Sequence, residues 1–279
     1  DSLITNNTPL RTTGNKNYGI YASGEITNLA DMDFSAGVGN VGILNVRDIG
    51  STTSKAVNGQ LGAASQPTIT VGKSDVINEN YSIGMAAGYL DKDGVLKQTG
   101  HVENYGKIDV VGEGGIGMYA AGSGSMAINH VGAEINLSGQ DSIGMYLTDS
   151  AIGENYGTIR TAPNNTKDGI VGVVANNNAV IKNYGTIKIL SPFGKGIVTS
   201  NRQVLNDNEN SDVTGTQEDI QLIAGTNEKT TGDGSTIKVP DLVPLTEVTI
   251  NGVNTPIFKL DTTATVASPI ASHIIVKGS

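Results

Sequence analysis

The chain has no cysteine and no tryptophan, three phenylalanines and only four arginines, Arg11, Arg47, Arg160 and Arg202. Without cysteine, neither disulfides nor thiolate metal sites can staple the fold. That absence also suits a chain that must cross a periplasm unfolded, where a disulfide would obstruct passage. Aromatic residues make up 4% of the sequence, too few for the bulky core of a globular enzyme or for the flat platforms on which sugars stack. Acidic residues outnumber basic ones 27 to 18, a formal net charge of −9. A phosphate-binding surface needs clustered lysine and arginine, so nucleic acid and anionic lipid are disfavoured partners. No apolar run approaches ~18 residues, which excludes a membrane-spanning helix from the sequence as read. There is no initial methionine and no signal-peptide pattern, and a mature or excised segment is expected.

What is abundant is glycine, 37 of 279 residues, about twice the usual ~7%. Much of it sits in repeats. One motif reads small-Ile-Gly-Met followed by Tyr or Ala: Ser82-Ile83-Gly84-Met85-Ala86, Gly115-Ile116-Gly117-Met118-Tyr119 and Ser142-Ile143-Gly144-Met145-Tyr146. Looser copies follow at Gly169-Ile170-Val171-Gly172-Val173 and Gly196-Ile197-Val198, so the isoleucines recur at intervals of 33, 27, 27 and 27. A second motif alternates with it, at Glu103-Asn104-Tyr105-Gly106-Lys107-Ile108, Glu154-Asn155-Tyr156-Gly157-Thr158-Ile159 and Lys182-Asn183-Tyr184-Gly185-Thr186-Ile187. With the degenerate copy Asn129-His130-Val131-Gly132, its asparagines are spaced 25, 26 and 28 residues apart.

Ile108-Asp109-Val110, Ile159-Arg160-Thr161 and Ile187-Lys188-Ile189 alternate apolar with polar residues as half-buried strands do. Asn-Tyr-Gly supplies turns, because asparagine and glycine tolerate left-handed backbone angles. One such loop buries little alone. Stacked at ~4.8 Å per coil, equivalent strands pair and each isoleucine lies on the next. The expected fold is therefore all-β, a right-handed parallel β-helix (solenoid) of about 26-residue coils. Asn104, Asn129, Asn155 and Asn183 either form a ladder of side-chain amides or merely permit the turn.

The ends are less regular. Tyr18-Gly19-Ile20 and Val41-Gly42-Ile43 read as earlier copies, and the gap of 40 from Ile43 to Ile83 places about 13 extra residues in a loop within 50–67. The partition expected is a β-helix repeat region over 1–200, a polar insertion or loop over 201–235, and a strand or hairpin segment over 236–279. Asn251-Gly252 between alternating runs signals the hairpin, and Pro240, Pro244, Pro256 and Pro269 place that decoration at an edge.

Catalytic signatures are sparse. The histidines are His101, His130 and His273, and no Gly-x-Ser-x-Gly elbow occurs, so a serine triad is not expected. His130 replaces tyrosine in a repeated turn and reads as a surface substitution. Gly112-Glu113-Gly114-Gly115-Ile116-Gly117 fits Gly-x-Gly-x-x-Gly, but no helix pattern follows and the repeat explains the spacing. Asp91-Lys92-Asp93-Gly94 opens like a calcium loop and lacks the later ligands, so a turn is the better reading. Asp207, Glu209 and Asp212 cluster oxygen ligands, either for calcium or as a solvated acidic loop. No catalytic, cofactor or metal site is expected. Strand alternation puts Ile116 and Met118 on one face with Tyr119 on the other, and Met145 inward with Tyr146 outward. The tyrosines are either a contact surface or a cover for neighbouring coils.

The pairing of Glu-Asn-Tyr-Gly-x-Ile with Ser-Ile-Gly-Met-Tyr, at Glu103 to Ile108, Ser142 to Tyr146 and Glu154 to Ile159, resembles the passenger repeats of very large type V autotransporter adhesins of the fusobacterial kind. The likeness covers residues 17–215, and 239–259 looks like the interruptions such passengers carry. It implies a surface rod at the bacterial outer membrane, attached only through a C-terminal β-barrel missing from this chain. It also implies attachment to a host-cell receptor, or to a surface protein or glycan of a partner bacterium. No binding residue can be carried over from it. The period-breaking stretches 50–67 and 201–235 are the expected places for recognition. A β-helical polysaccharide-active enzyme and an inert spacer of the rod are the alternatives.

Overall fold

In the computed structural model, residues 2–198 are described throughout, together with the strand backbone of Thr199, Val204–Leu205, Asp212–Thr214, Glu228–Thr230, Thr236–Lys238, Val248–Ile250 and Val253–Thr255. Among the described residues there is no helix. Strands visit three long sheets in rotation, one strand per sheet per coil. His101–Asn104, Met126–Asn129 and Ile152–Asn155 belong to an eight-stranded sheet A; Lys107–Val110, Glu134–Leu137 and Thr158–Thr161 to a ten-stranded sheet B; Ile116–Ala121, Ile143–Thr148 and Val171–Ala175 to a seven-stranded sheet C. Successive coils pair in parallel along each sheet. This is a parallel β-helix, and crossovers between parallel strands of this kind run right-handed in ~98% of cases.

Sheet B carries the bulk of the core. Ile69, Ile108, Ile135, Ile159 and Ile187 stack from coil to coil, each fully buried. Opposite them, sheet C presents Met85, Met118 and Met145, also fully buried. Sheet A contributes small residues, and their sizes answer sheet C: Leu147 projects toward Gly153, where a Cβ would meet its methyls. Each layer thus keeps its volume near constant, as close packing demands.

The asparagines form the ladder. Asn6, Asn28, Asn58, Asn104, Asn129, Asn155 and Asn183 follow one another down sheet A, and each Nδ2 donates to the Oδ1 of the next at 2.7–3.0 Å. Six of the seven have no exposed surface. Asn104 gives its second amide hydrogen to the carbonyl of Gly106, and Asn183, the last of the series, donates to the carbonyl of Gly185, which holds the next bend. At that bend the backbone N–H groups of Tyr156 and Gly157 both donate to the Asn129 carbonyl one coil away. The glycine of Asn-Tyr-Gly is not there for left-handed angles, since Gly106, Gly157 and Gly185 are absent from the positive-φ residues. It is there for clearance: a Cβ on Gly106 would collide with the Pro67 carbonyl.

Isoleucine does not set the register throughout. Ile83, Ile116 and Ile143 do stack, but Val171 rather than Ile170 pairs with Ile143, and Ile197 pairs with Val173. The 27-residue spacing therefore misses the pairing by one residue at Ile170. The true marker is glycine. Gly19, Gly42, Gly84, Gly117, Gly144, Gly172 and Gly196 form a column in which a Cβ on each of the first six would meet the carbonyl oxygen of the next at 2.5–2.6 Å. The same Cβ on Gly117 would lie 2.8 Å from Ile135. The position points inward and is already full.

The extra residues between Ile43 and Ile83 are not confined to 50–67. Strand Lys55–Asn58 of sheet A lies inside that stretch, with Ala56 and Asn58 fully buried. All three connections of this coil are widened instead, to residues 46–54, 59–67 and 74–82. The interval of 33 comes from a hairpin, Tyr89–Leu90 with Leu96–Gln98, inserted between sheets C and A. Downstream, Val204–Leu205 pairs with Ile181 and Lys182, and Asp212–Thr214 pairs with Thr186 to Lys188, so strands within 201–235 extend sheets A and B. Val248–Ile250 and Val253–Thr255 pair antiparallel; Asn251 and Gly252, expected as the hairpin turn, lie outside the described residues.

Two substitutions test the stacking. Asn129→Ala leaves the Asn155 side-chain Oδ1 without its donor, and an orphaned buried polar group costs ~1–3 kcal/mol. The urea midpoint should fall accordingly, while Asn7→Ala, at an exposed turn, should stay within ~0.5 kcal/mol. Gly117→Ala should destabilise by ~1–3 kcal/mol through overpacking against backbone that cannot withdraw.

Candidate functional site

An open groove of about 820 Å³ runs along the outer face of sheet C. Its floor is the first column of that sheet, Tyr18, Val41, Ile83, Ile116 and Ile143, one residue from each of five consecutive coils. Ile116 was expected to face inward with Met118, and the structure reverses it. The neighbouring glycine occupies the inward position, and Met118 follows it inward, so two successive positions face the core and the alternation breaks. The isoleucine that precedes them is thrown to the outside, where the groove walls leave it only 4% exposed.

One wall consists of the sheet B to sheet C turns. The widened connection 74–82 brings Val76, Glu79, Asn80 and Tyr81, and the equivalent turn two coils on brings Asp141. The opposite wall holds Tyr119, Tyr146, Asp149 and Leu90. The two tyrosines that sequence alternation placed outward are both there, half-buried, with ring centroids 5.9 Å apart and planes 18° from parallel. They stack face to face and so pack coil on coil, and both line the groove. Burial, reinforced by Tyr146, Asp149 and Tyr81, pushes the Tyr119 hydroxyl up to about 12, and it stays a neutral donor and acceptor. Asn176 Nδ2 lies 3.4 Å from the Tyr146 hydroxyl.

The charged residues of the groove are Lys16, Glu79, Asp141 and Asp149. All four have positive φ, between 52° and 57°. Asparagine and aspartate accept that conformation readily, lysine and glutamate less so. Asp149 takes hydrogen bonds from Thr148 and Asn177, both neutral.

A second cluster lies on the outer face of sheet A. Glu103 Oε2 accepts from His130 Nε2 at 3.0 Å, and Oε1 from Lys55 Nζ at 3.3 Å. His101 Nε2 stands 3.2 Å from Oε1 but is not aligned to bond with it. The two imidazoles, and after them Lys55, hold the carboxyl well below the usual carboxylate range against the opposing effect of burial. Of the imidazoles, the aligned His130 is the secure partner. That residue is more than a surface substitution, because its ring stacks on Tyr105 with centroids 3.9 Å apart. The cluster was legible only in part: Glu before Asn recurs at Glu103 and Glu154, and Glu154 likewise pairs with Lys182 one coil on, at 3.1 Å. With its carboxylate 9% exposed and already bonded to its neighbours, Glu103 reads as a clamp between coils.

Asp91 is consumed within its hairpin turn, accepting from the amides of Asp93 and Val95 and pairing with Lys97 at 3.0 Å. Among the described residues no group of three or more potential ligands is arranged to hold a metal ion. Asp207 and Glu209 lie outside the described residues. Asp212 opens a strand paired with Thr186, and its side chain is likewise outside the description.

Residues 1–131 match the family model of the BigA third pectate lyase-like domain. No curated protein and no solved structure gives a significant match. The matched stretch contains the groove floor as far as Ile116, together with Tyr119 and the turn 74–82, but not Ile143, Tyr146 or Asp149. The likeness is to a pectate lyase-like fold and does not reach the fusobacterial autotransporters as such.

Because the Glu103 carboxyl is depressed in the folded chain, its contribution is present above the ordinary carboxylate pKa and is lost as pH falls below it. Glu103→Gln should therefore lower the unfolding free energy measured in urea at pH 7, by ~1.5–3 kcal/mol for hydrogen bonds to a charged group. The two proteins should converge in a titration carried from pH 5 toward pH 2.

Proposed function

We propose that this chain is part of a bacterial surface protein, the β-helical passenger of an autotransporter adhesin, and that it binds rather than catalyses. Its partner is a host-cell receptor or a surface component of another bacterium. The observation that carries the reading is the groove: a continuous, largely apolar floor crossing five coils and walled by turns. Groups of this kind favour contact, since apolar area removed from water stabilises association by ~25 cal/mol per Å² before its opposing costs. Likeness to a BigA-type domain supports a place at the bacterial surface. The scaffold suits the task, because each coil is fixed by its neighbours and holds a surface rigid over a long span.

A polysaccharide-active reading draws on the same likeness and on Glu79, Asp141 and Asp149 beside the groove. It is the lesser reading, because an aliphatic floor offers no donors or acceptors to a hydroxyl-rich substrate.

Labelled protein applied to host epithelial cells and to mixed bacterial lawns should be retained on at least one surface. The double variant Tyr119→Ala/Tyr146→Ala, its fold verified by circular dichroism, should be retained at least tenfold less. Incubation with polygalacturonate should release no new chain ends. Release of products, or equal retention of the double variant, would reject the reading.

A further inference from the structure

The groove's chemistry narrows what fits it, and the narrowing rests on the binding role assigned above. We propose that the groove along sheet C receives a polypeptide segment whose apolar side chains are flanked by lysine or arginine.

The floor decides against other ligands first. Val41, Ile83, Ile116 and Ile143 are aliphatic and offer no hydrogen bonds, so sugar hydroxyls laid on them would lose water without replacement. Tyr119 and Tyr146 close one face of each other by stacking, and the exposed rings of Tyr18 and Tyr81 lie apart from the run Val41, Ile83, Ile116 and Ile143 that makes up the rest of the floor. Valine, leucine and isoleucine side chains lose nothing on such a floor and shed apolar surface from water.

Charge supplies the second half. Glu79, Asp141 and Asp149 are three acids against the one base, Lys16, among the groove-lining residues. No ion pair among the described residues engages Glu79, Asp141 or Asp149. They stand on both walls, Glu79 and Asp141 on one and Asp149 on the other, so a ligand lying on the floor meets carboxylates on each side. The chain as a whole carries −9, and its field adds to theirs. Acids in this setting repel anionic headgroups, nucleic acid and polyuronates alike.

Length completes the argument. Five coils at ~4.8 Å span about 19 Å, which an extended chain crosses in about six residues at ~3.3 Å each. Four of the five strands beneath are paired to both neighbours and only Tyr18–Ala22 ends the sheet, so a segment lying on this face is gripped by its side chains and adds no strand. Polar partners for its backbone are at hand in Asn80, Thr148 and the tyrosine hydroxyls.

The test uses the whole 279-residue chain and three probes: the peptide Lys-Lys-Leu-Val-Leu-Val-Lys-Lys, its counterpart with glutamate at the four lysines, and a neutral cello-oligosaccharide. Fluorescence anisotropy should find the basic peptide bound at least tenfold more tightly than the acidic one, and the oligosaccharide unbound. Asp141→Asn with Asp149→Asn keeps residues that accept positive φ and should weaken the basic peptide at least threefold. Ile143→Gln, on the exposed side of its strand, should weaken it as well. Binding of the basic peptide unchanged in both variants would mean attraction to the net charge alone and would overturn the assignment. Equal affinity for both peptides, or preferential binding of the oligosaccharide, would overturn it too. If the peptide binds while no cell surface retains the protein, the groove's specificity stands and the adhesin reading falls. If cells retain the protein and the peptide does not bind, the reverse holds.

Discussion

A polar side chain inside an apolar stack is tolerable only if every one of its hydrogen bonds is made. The seven-asparagine ladder answers that condition by translation: from Asn6 to Asn155 each amide donates to the next coil, and from Asn28 to Asn183 each accepts from the one before. Such a chain cannot be shifted by one residue without orphaning all of its members, and orphaned buried amides cost more than any single contact here returns. The ladder therefore fixes sheet A in register. Connections of two residues, as at Tyr156-Gly157, then fix where sheet B begins.

Sheet C is fixed by a different means. Its glycine column lets backbones and the sheet B isoleucines approach until no Cβ would fit. A column with no side chain inside pushes the preceding residue out and the following methionine in. The outer face of the sheet thus acquires an aliphatic stripe that simple alternation would have buried. Core packing and groove floor are two consequences of the same seven glycines.

The turns supply what the strands cannot. They vary in length without disturbing the stack, because each begins and ends on strands already held by neighbouring coils. One coil widens all three of its connections, and one of these, residues 74–82, rises beside the stripe to make a wall. Charge is placed on such turns, at Lys16, Glu79, Asp141 and Asp149, each in a left-handed conformation that the flanking strands hold in place. On sheet A the variation is of another sort, since His130 and Glu103 tie two coils together across the outer surface.

From the sequence alone, the period, the all-β class and four of the seven asparagines, Asn104, Asn129, Asn155 and Asn183, were legible, because stacking repeats the same chemistry at the same step and leaves it visible as spacing; that they bond to one another, and that Asn6, Asn28 and Asn58 join them, was decided by the structure. Tyr119 and Tyr146 could be placed outward by alternation, and they are. The inward Gly-Met pair, the outward Ile116 and the slip from Ile170 to Val171 were not legible. A one-residue offset changes which face a side chain takes, yet leaves composition and period almost untouched. The groove lay further out of reach: its residues run from Lys16 to Asp149, and only the vertical stacking of coils, with turns of unequal length meeting along one edge, makes them neighbours.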